Sequence, residues 1–394
     1  MKTTELAHAL RDETIAYRRE VHRHPEASLK EFETTDRICR ELDKLGVSYR
    51  RTEPTGVIAE ICGTKAESSN IVMLRGDIDA LEVEEQTGLP FASENKGLMH
   101  ACGHDTHNAM LLGAVKVLLQ MRDEFAGTVR FVFQPAEEVC KGAALMVEQG
   151  AMDGVGYAFG IHTFAALPCG YVSSLPGAAY AAASRYWIKV RGKSSHGSDP
   201  ANGVDAAVAG CAIVTALQTL VSREFPPEDA LVVTVGQIHS GSRFNIIPGY
   251  CEIEGTVRTY SNRIHEVIDE SFRRVAEMTA AAYRCTAEVI YDKITGACVV
   301  DEDAFEIGKN AVEKVAPGRF LPGKPTMGSE DFSAYTLVSP EQKCAFFQLG
   351  AAPEDPEQIY SQHHEKIIFN EDALETGVAL YAQIALDALE KLNG

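Results

Sequence analysis

Apolar runs of strand length alternate with segments of helical periodicity along the first part of the chain. The apolar runs predict buried strands at 71–75, 128–133 and 156–161. Apolar positions at helical spacing predict helices at 31–45, 104–121 and 141–149. Strands that alternate with helices in this way are typical of an α/β sandwich with a largely parallel mixed sheet.

The pattern changes after the stretch of small residues at 178–184. Six elements in the order βαββαβ are predicted at 184–191, 204–223, 231–239, 250–260, 263–284 and 286–291. This order is that of a ferredoxin-like α+β sheet with helices on one face. The α/β pattern then resumes with a helix at 302–315 and a strand at 345–349. We therefore predict an outer α/β domain in two parts, 1–183 and 299–394, with an inserted domain at 184–298.

Composition and charge narrow the classes of function. A chain of 394 residues exceeds one ordinary hydrophobic core, which agrees with two domains. Its net charge of −19 excludes a general attraction to nucleic acid or to an anionic membrane. We see no apolar run of membrane-spanning length and no signal-peptide pattern before Glu20. Ten cysteines without a CxxC pair favour a reducing compartment, so we expect a cytoplasmic protein.

Side chains that bind metals follow the ends of the predicted strands and loops. Cys102 and His104 form one pair, Glu137 and Glu138 follow the strand at 128–133, and His162 follows the strand at 156–161. Ligands bind at the carboxyl ends of the strands in such sheets, so these segments can converge. Thiolate, imidazole and carboxylate together suit zinc or a related divalent ion. Taken singly, each histidine or cysteine is explained better by ordinary burial in the core, and only their combination favours a metal site.

The two adjacent glutamates permit a division of labour. A metal can neutralise one carboxylate while the other stays available to take a proton from a metal-bound water. The alternative is a solvated acidic pair at the positive end of the helix 141–149. Asp79 lies at the end of another strand and can orient a ligand loop, although aspartate is also common in turns.

Seven motifs follow one another along the chain, namely 17–26 (YRRxxHxxPE), 75–81 (RGDIDAL), 99–105 (MHACGHD), 134–138 (QPAEE), 255–259 (GTVRT), 328–332 (GSEDF) and His363 to Asn370. In this order they resemble the dinuclear metal aminoacylase and carboxypeptidase family, in particular its branch of hippurate hydrolases and auxin-conjugate amidohydrolases. The resemblance implies two divalent metal ions, which zinc, manganese, cobalt or nickel could supply. It implies the ligands Cys102, His104, Glu138, His162 and His363. The family's Phe-Asn pair aligns with Phe369 and Asn370, and this alignment selects His363 rather than His364.

The resemblance also implies roles for other residues. Glu137 would be the catalytic acid and base. We place Asp79, the candidate for orienting a ligand loop, beside it among the predicted catalytic residues. The inserted domain would be a lid and dimerisation module, so that a homodimer is expected, with a tetramer as a larger alternative. From this part of the chain, His196 would polarise the scissile carbonyl, and Asn245 and Arg258 would bind substrate, with Arg258 on its carboxylate. Glu330 would contact the substrate or orient a ligand.

Three departures from the family pattern concern the site. Ile161 stands where a bulky residue commonly precedes the third ligand, so the acyl pocket is expected to differ in shape. The stretch 197–201 lacks the second histidine that often follows the lid histidine. Cys140, just after the glutamate pair, is either an inert residue at a helix start or a thiol near the metals.

The predicted function is metal-dependent hydrolysis of the amide bond of N-acyl amino acids, with a metal-bound hydroxide as the nucleophile. Two alternatives remain open at this point. One is a peptidase or deacylase acting on small dipeptides or acyl-diamino acids. The other is a metal-binding dimer scaffold without turnover, which would leave no reason for a spare base at Glu137 beside Glu138.

Overall fold

The computed structural model describes residues 2–394. Its α-helices are α1 (Lys2–Ala9), α2 (Arg11–Arg23), α3 (Phe32–Leu45), α4 (His104–Gln120), α5 (Gly142–Glu148), α6 (Ala206–Thr219), α7 (Asn262–Ala282), α8 (Glu302–Val315), α9 (Ser333–Thr336) and α10 (Ala373–Asn393). Aspartate and serine side chains accept hydrogen bonds from the first turns of three of them. These N-caps are Asp205 for α6, Ser261 for α7 and Asp301 for α8.

The strands are two to ten residues long. They are β1 (Ser48–Arg51), β2 (Val57–Cys62), β3 (Ile71–Asp77), β4 (Thr128–Gln134), β5 (Val155–Phe164), β6 (Val172–Ser174), β7 (Gly177–Tyr180), β8 (Ala182–Arg191), β9 (Ser195–His196), β10 (Leu231–Ser240), β11 (Ile246–Ile247), β12 (Tyr250–Thr259), β13 (Thr286–Thr295), β14 (Cys298–Val300), β15 (Phe320–Pro322) and β16 (Lys343–Gly350).

Two compact units account for the chain. The first comprises residues up to Gly177, together with Val299–Lys324 and Asp331–Gly394, and the second comprises Ala178–Cys298 and Pro325–Glu330. The predicted domain limits, after residues 183 and 298, stay a prediction.

The first unit is built on an eight-stranded sheet with the order β1-β2-β4-β3-β5-β16-β6-β15. Its four central strands, β4, β3, β5 and β16, run parallel. The pairs β1–β2, β2–β4 and β6–β16 are antiparallel, and β15 pairs parallel with β6. The strands β3 and β4 are buried along nearly their whole length, as expected for a sheet covered on both faces. The prediction of an α/β fold with a largely parallel mixed sheet is confirmed.

The second unit contains a four-stranded antiparallel sheet with the order β10-β12-β8-β13. Its chain order is β8, α6, β10, β12, α7, β13, which is the predicted βαββαβ arrangement. Buried residues of both helices, among them Ile213 and Phe272, pack against Tyr186 and Ile253 of the sheet. The ferredoxin-like prediction is therefore confirmed.

One helical stretch of the second unit, Ala206–Glu224, is long and apolar enough in composition to cross a membrane. The core helix of a water-soluble protein passes the same test, so this is weak support for a membrane span. Its residues Ala209, Ile213 and Leu217 are buried in the core beneath the sheet.

Candidate metal centre

The carboxyl ends of the parallel strands bring the predicted ligands together in the first unit. Asp77 ends β3, the glutamate pair follows the end of β4, and His162 lies near the end of β5. The helix α4 begins at His104, directly after Gly103. Gly103 has a φ of 93°, and a Cβ atom there would lie 2.6 Å from the hydroxyl of Thr163, so this tight turn requires glycine.

The first group of ligand atoms belongs to Cys102, His104 and His162. All three residues are buried, and their ligand atoms lie within 4.8 Å of one another. Sγ of Cys102 lies 3.3 Å from Nε2 of His162. Two ligands that bind one zinc ion at about 2.0 to 2.3 Å in a tetrahedron are separated by roughly 3.3 to 3.8 Å. The spacing of this pair therefore suits a common ion.

The second group consists of Cys102, Glu138 and His363, whose ligand atoms also lie within 4.8 Å of one another. Nε2 of His363 lies 3.5 Å from a carboxylate oxygen of Glu138. His363 has a positive φ of 71°, and its backbone N–H donates to the carbonyl of Ala101 at 2.9 Å. Because Cys102 belongs to both groups, its sulfur is placed to serve two ions.

His364, the alternative to His363 in the sequence, lies elsewhere. Its ring stacks on that of Tyr360, with the ring centroids 4.3 Å apart, and its Nδ1 accepts from the backbone N–H of Lys366. Within residues 2–394 it belongs to neither group of ligand atoms.

The hydrogen bonds of the ligands leave suitable lone pairs for a metal. Nδ1 of His104 donates to the carbonyl of Asp79 at 2.9 Å, which leaves the lone pair on Nε2. That Nε2 atom and Oε1 of Glu138 are buried and have no hydrogen-bond partner among the described residues. Buried polar atoms are rarely left unpaired in proteins, so the donor set fits divalent cations.

The pKa values of two of these groups point to the same need for positive charge. Burial raises the pKa of the Cys102 thiol well above its usual value, and the nearby Glu138 carboxylate raises it further. Burial also raises the pKa of Glu138 to about 7. A bound cation reverses both effects, because it stabilises the thiolate and the carboxylate.

Asp79 holds the backbone of Glu137 and Glu138 in place. Its two carboxylate oxygens accept from the backbone N–H groups of Glu137, at 3.1 Å, and Glu138, at 3.0 Å. Burial alone would raise the pKa of Asp79, but hydrogen bonds from His104 and Ser28 lower it below the ordinary value. Glu137 itself is buried, and its carboxylate lies 3.9 Å from Nε2 of His104. The expected acid and base is thus held beside the ligand groups.

His107, which was not predicted as a site residue, lies buried beside the ligand groups and contacts Asp77, Thr163 and His162. Nδ1 of His107 lies 2.5 Å from a carboxylate oxygen of Asp77, and its Nε2 accepts from the backbone N–H of Thr163 at 2.8 Å. The ring packs against His162, with centroids 4.4 Å apart. His107 stands three residues after His104 on α4, and this helical spacing was a signal that both rings share a face.

Arg75, which is also buried, forms an ion pair with Asp77. Its guanidinium donates to Asp77 at 2.6 Å and to Asp331 at 2.9 Å. Burial would raise the pKa of Asp77, but Arg75, His104 and His107 hold it well below its usual range. Asp77 therefore remains a carboxylate that can accept from His107.

The predicted substrate residues His196, Asn245, Arg258 and Glu330 all belong to the second unit. The short ribbon of β9 and β11 joins His196 to Ile246 and brings Asn245 beside it, and the Asn245 carbonyl accepts from Gly197 at 2.7 Å. Nδ1 of His196 lies 2.7 Å from the Ser198 hydroxyl.

Arg258 and Glu330 occupy other parts of the second unit. Arg258 is half-buried on β12 and donates to the Ser329 hydroxyl at 3.1 Å, and Glu330 is buried. Ser329 thereby places Arg258 close in space to the 325–330 segment that also carries Glu330.

The structure shows where the three departures from the family pattern lie. Ile161 is buried in β5, next to His162. Cys140 has a φ of 51°, its N–H donates to the Glu137 carbonyl at 2.7 Å, and it joins none of the ligand groups within residues 2–394. The stretch after His196 supplies Ser198 to its ring in place of a second imidazole.

Known proteins of similar sequence and fold include amide-cleaving hydrolases and a metal-binding peptidase. The chain is 36% identical over 381 residues to the N-acetylcysteine deacetylase of Bacillus subtilis, covering 96% of this chain and 97% of that protein. It is 36% identical over 386 residues to an IAA-amino acid hydrolase of Arabidopsis thaliana, covering 96% of this chain and 86% of that protein. A solved Bacillus subtilis structure described as a dinuclear metal-binding peptidase of the M20 family superposes with a TM-score of 0.84 at 34% identity, covering 97% of this chain and 99% of that one.

The match to a family extends over most of the chain. Residues 73–387 match the profile of peptidase family M20/M25/M40, and this stretch includes the glutamate pair and all five predicted ligands. The resemblance predicted from the motifs is confirmed, and the chain belongs to peptidase family M20/M25/M40.

Proposed function

We propose that this chain hydrolyses the amide bond of N-acyl amino acids with the help of two divalent metal ions. The observation that carries the proposal is the position of Cys102, which belongs to two groups of ligand atoms beside a spare carboxylate at Glu137. The relatives support the substrate class, since the names of two of them refer to an N-acetyl amino acid and to an acyl-amino acid conjugate.

The ligands divide between the two ions. His104 and His162 would hold one, Glu138 and His363 would hold the other, and the Cys102 thiolate would serve both. Bound divalent ions supply the Lewis acidity that makes a water molecule acidic near neutral pH and polarises a carbonyl. The mixed sulfur, nitrogen and oxygen set suits zinc, manganese, cobalt or nickel.

Glu137 moves the proton in this reaction. Its carboxylate takes a proton from the attacking water and later gives that proton to the departing amide nitrogen, which leaves as an amine. Asp79 keeps the backbone of Glu137 in place for both steps. A buried base with one fixed backbone position loses little entropy in reaching the reacting atoms.

We assign substrate recognition to the second unit. Arg258 would pair with the substrate carboxylate through its forked guanidinium, and His196 would stabilise the negative charge that develops on the carbonyl oxygen. Asn245 and Glu330 would complete the contacts to the substrate. These roles follow from the family resemblance and from the clustering of His196 with Asn245.

We further propose a homodimer formed through the second unit and a cytoplasmic location. The strand β10 is an edge of its sheet and exposes Val232 and Ile238, and Val208, Phe244 and Ile246 are exposed in other parts of the second unit. Exposed edges and apolar patches of this kind are commonly covered by a partner. Reduced Cys102 is required as a ligand, and no disulfide joins the ten cysteines within residues 2–394, which suits a reducing compartment.

A panel of N-acyl amino acids tests the proposal. N-acetyl, N-benzoyl and indoleacetyl amino acids would be assayed with zinc, manganese, cobalt or nickel, each beside the same compound with its carboxylate converted to an amide. We expect turnover that requires metal and a free carboxylate, and we expect Arg258→Ala to abolish the preference for that carboxylate. Failure to cleave any member of the panel under all four metals would contradict the proposed function.

A further inference from the structure

We propose that Glu31 is a positioning residue that holds the loop carrying Glu137 in its reactive conformation. This inference rests on the proposed function, because it concerns the backbone of the proposed acid and base. Glu31 lies more than a hundred residues from Glu137 in the chain and belongs to no group of ligand atoms within residues 2–394.

The side chain of Glu31 is fully buried and accepts three hydrogen bonds. One carboxylate oxygen accepts from the backbone N–H groups of Ala136 and Leu29, both at 2.9 Å, and the other accepts from the Thr55 hydroxyl at 2.6 Å. The bond to Ala136 connects Glu31 to the residue directly before Glu137.

Three consecutive N–H groups of the loop are therefore held by two buried carboxylates. Ala136 donates to Glu31, while Glu137 and Glu138 donate to Asp79. Hydrogen bonds to an ionised acceptor are stronger than bonds between neutral groups. Each carboxylate thus fixes a different part of the same short segment.

The backbone at Ala136 needs such support. Its φ is 56°, a left-handed conformation that alanine adopts rarely and that other contacts must maintain. Ala136 is completely buried, so without Glu31 its N–H would have no water to bond. Without Glu31 the free energy of the loop would fall if Ala136 left its left-handed conformation, and the adjacent Glu137 would move with it.

The contacts of Glu31, just before the helix α3, indicate that its side chain stabilises the loop of Glu137 and not the helix. Glu31 is the N-cap residue of α3, but its side chain makes no capping hydrogen bond. Glu26 performs that task instead, since its carboxylate accepts from the N–H groups of Glu33 at 3.1 Å and Thr34 at 2.7 Å. Glu31 therefore does not cap α3, and apart from its bond to Leu29 it accepts from Thr55 and Ala136, which are distant in the sequence.

This pair provides a matched experiment. Glu31→Ala and Glu26→Ala each remove a carboxylate that lies near the start of α3 and accepts from two backbone N–H groups, but only Glu31 bonds to the loop of Glu137. We expect Glu31→Ala to lower kcat by about 10²-fold with little change in KM, because small displacements of a catalytic group are costly. We expect Glu26→Ala to keep the kcat of the unaltered protein, and both variants to bind the same amount of metal when titrated with Co²⁺.

Glu31→Gln serves as the conservative variant. Its amide oxygen can still accept from Ala136 and Leu29, so we expect it to recover most of the lost kcat. If Glu31→Ala does not fold, Glu31→Asp, which withdraws the carboxylate by one methylene, is measured against Glu26→Asp in the same way. Equal kcat values for the two members of a pair, in a protein whose unaltered form is active, would overturn the role of Glu31 and leave the proposed function intact. Absence of turnover in the unaltered protein would overturn both.

Discussion

Sγ of Cys102 lies 3.3 Å from Nε2 of His162, although sixty residues separate them in the sequence. The same sulfur belongs to the group that contains Glu138 and His363. In the proposed division of ligands, loss of this one atom removes a ligand from both ions, whereas His162 and His363 each belong to a single group.

This difference predicts the metal content of two variants. Cys102→Ala should lose both ions, because the remaining pairs of ligands are too few to hold either tightly. His363→Ala should lose one ion and keep the other, because it belongs to the second group alone. Metal analysis of dialysed protein measures both results. Cys39→Ala, which alters a buried cysteine of α3, is the control, and equal metal content in all three variants would refute the shared ligand.

Glu137→Gln should lower kcat by about 10² to 10⁴-fold, the usual contribution of a general acid and base. The amide cannot take up the proton, but it fills the same space, so the metal content should not change. Steady-state kinetics and metal analysis on one preparation measure both quantities. Glu148→Gln, at the exposed end of α5, is the matched control. Full activity in Glu137→Gln would remove this residue from the mechanism.

His107→Gln should weaken metal binding rather than chemistry. It disrupts the contacts of His107 with Asp77 and Thr163, which keep the segment of His162 in place. Substitution of such supporting residues typically lowers metal affinity by about 10 to 100-fold. Competition with a coloured chelator measures the affinity. His265→Gln, at another buried histidine that lies in the second unit, should leave the affinity unchanged.

Asp303 is predicted to make stability depend on pH. Hydrogen bonds from Lys343, Lys391 and Tyr157 lower the pKa of Asp303 in the folded protein. A lowered carboxyl pKa contributes stability above the unfolded value of about 3.9, and this contribution is lost as the pH falls below it.

Asp303→Asn should therefore lower the free energy of unfolding by about 1 kcal/mol at pH 7, a modest value because the side chain is 30% exposed and solvent screens it. The difference should shrink as the pH falls toward 3, in the range where the carboxylate of the unfolded chain takes up its proton. Urea unfolding of metal-free protein at both pH values measures it. A constant difference at the two pH values would contradict the assignment.

The sequence was most informative where burial dictates the pattern. The strands β3, β4 and β5 were predicted because they are buried apolar runs, and α7 was predicted because one face of it is apolar. The strand β1 was missed, since its residues Ser48–Arg51 are polar and largely exposed at the edge of the sheet. An edge strand of this kind is held by hydrogen bonds to one neighbour, which leave little trace in the pattern of apolar residues.

Some residues of the site could also be predicted from the sequence, and others could not. The residues at the ends of the strands could be found from the fold pattern, because parallel strands deliver their ends to one edge. His363 could be selected only through the family resemblance, and Glu31, Asp77 and His107 were not selected at all as site residues. Glu31 and Asp77 act through contacts between segments distant in sequence, and no local pattern reveals which segments will meet. For His107 the helical spacing from His104 was an available signal.

The order of strands in the large sheet has a consequence for synthesis on the ribosome. The strand β16 lies between β5 and β6, although the whole of the second unit separates it from them in the chain. The antiparallel sheet of the second unit can pair as soon as residue 295 has emerged, but the large sheet keeps a gap beside β5 until residues 343–350 arrive. A nascent chain halted before that point would leave the edge of β5 that pairs with β16 exposed. That edge would require shielding from other unfinished chains.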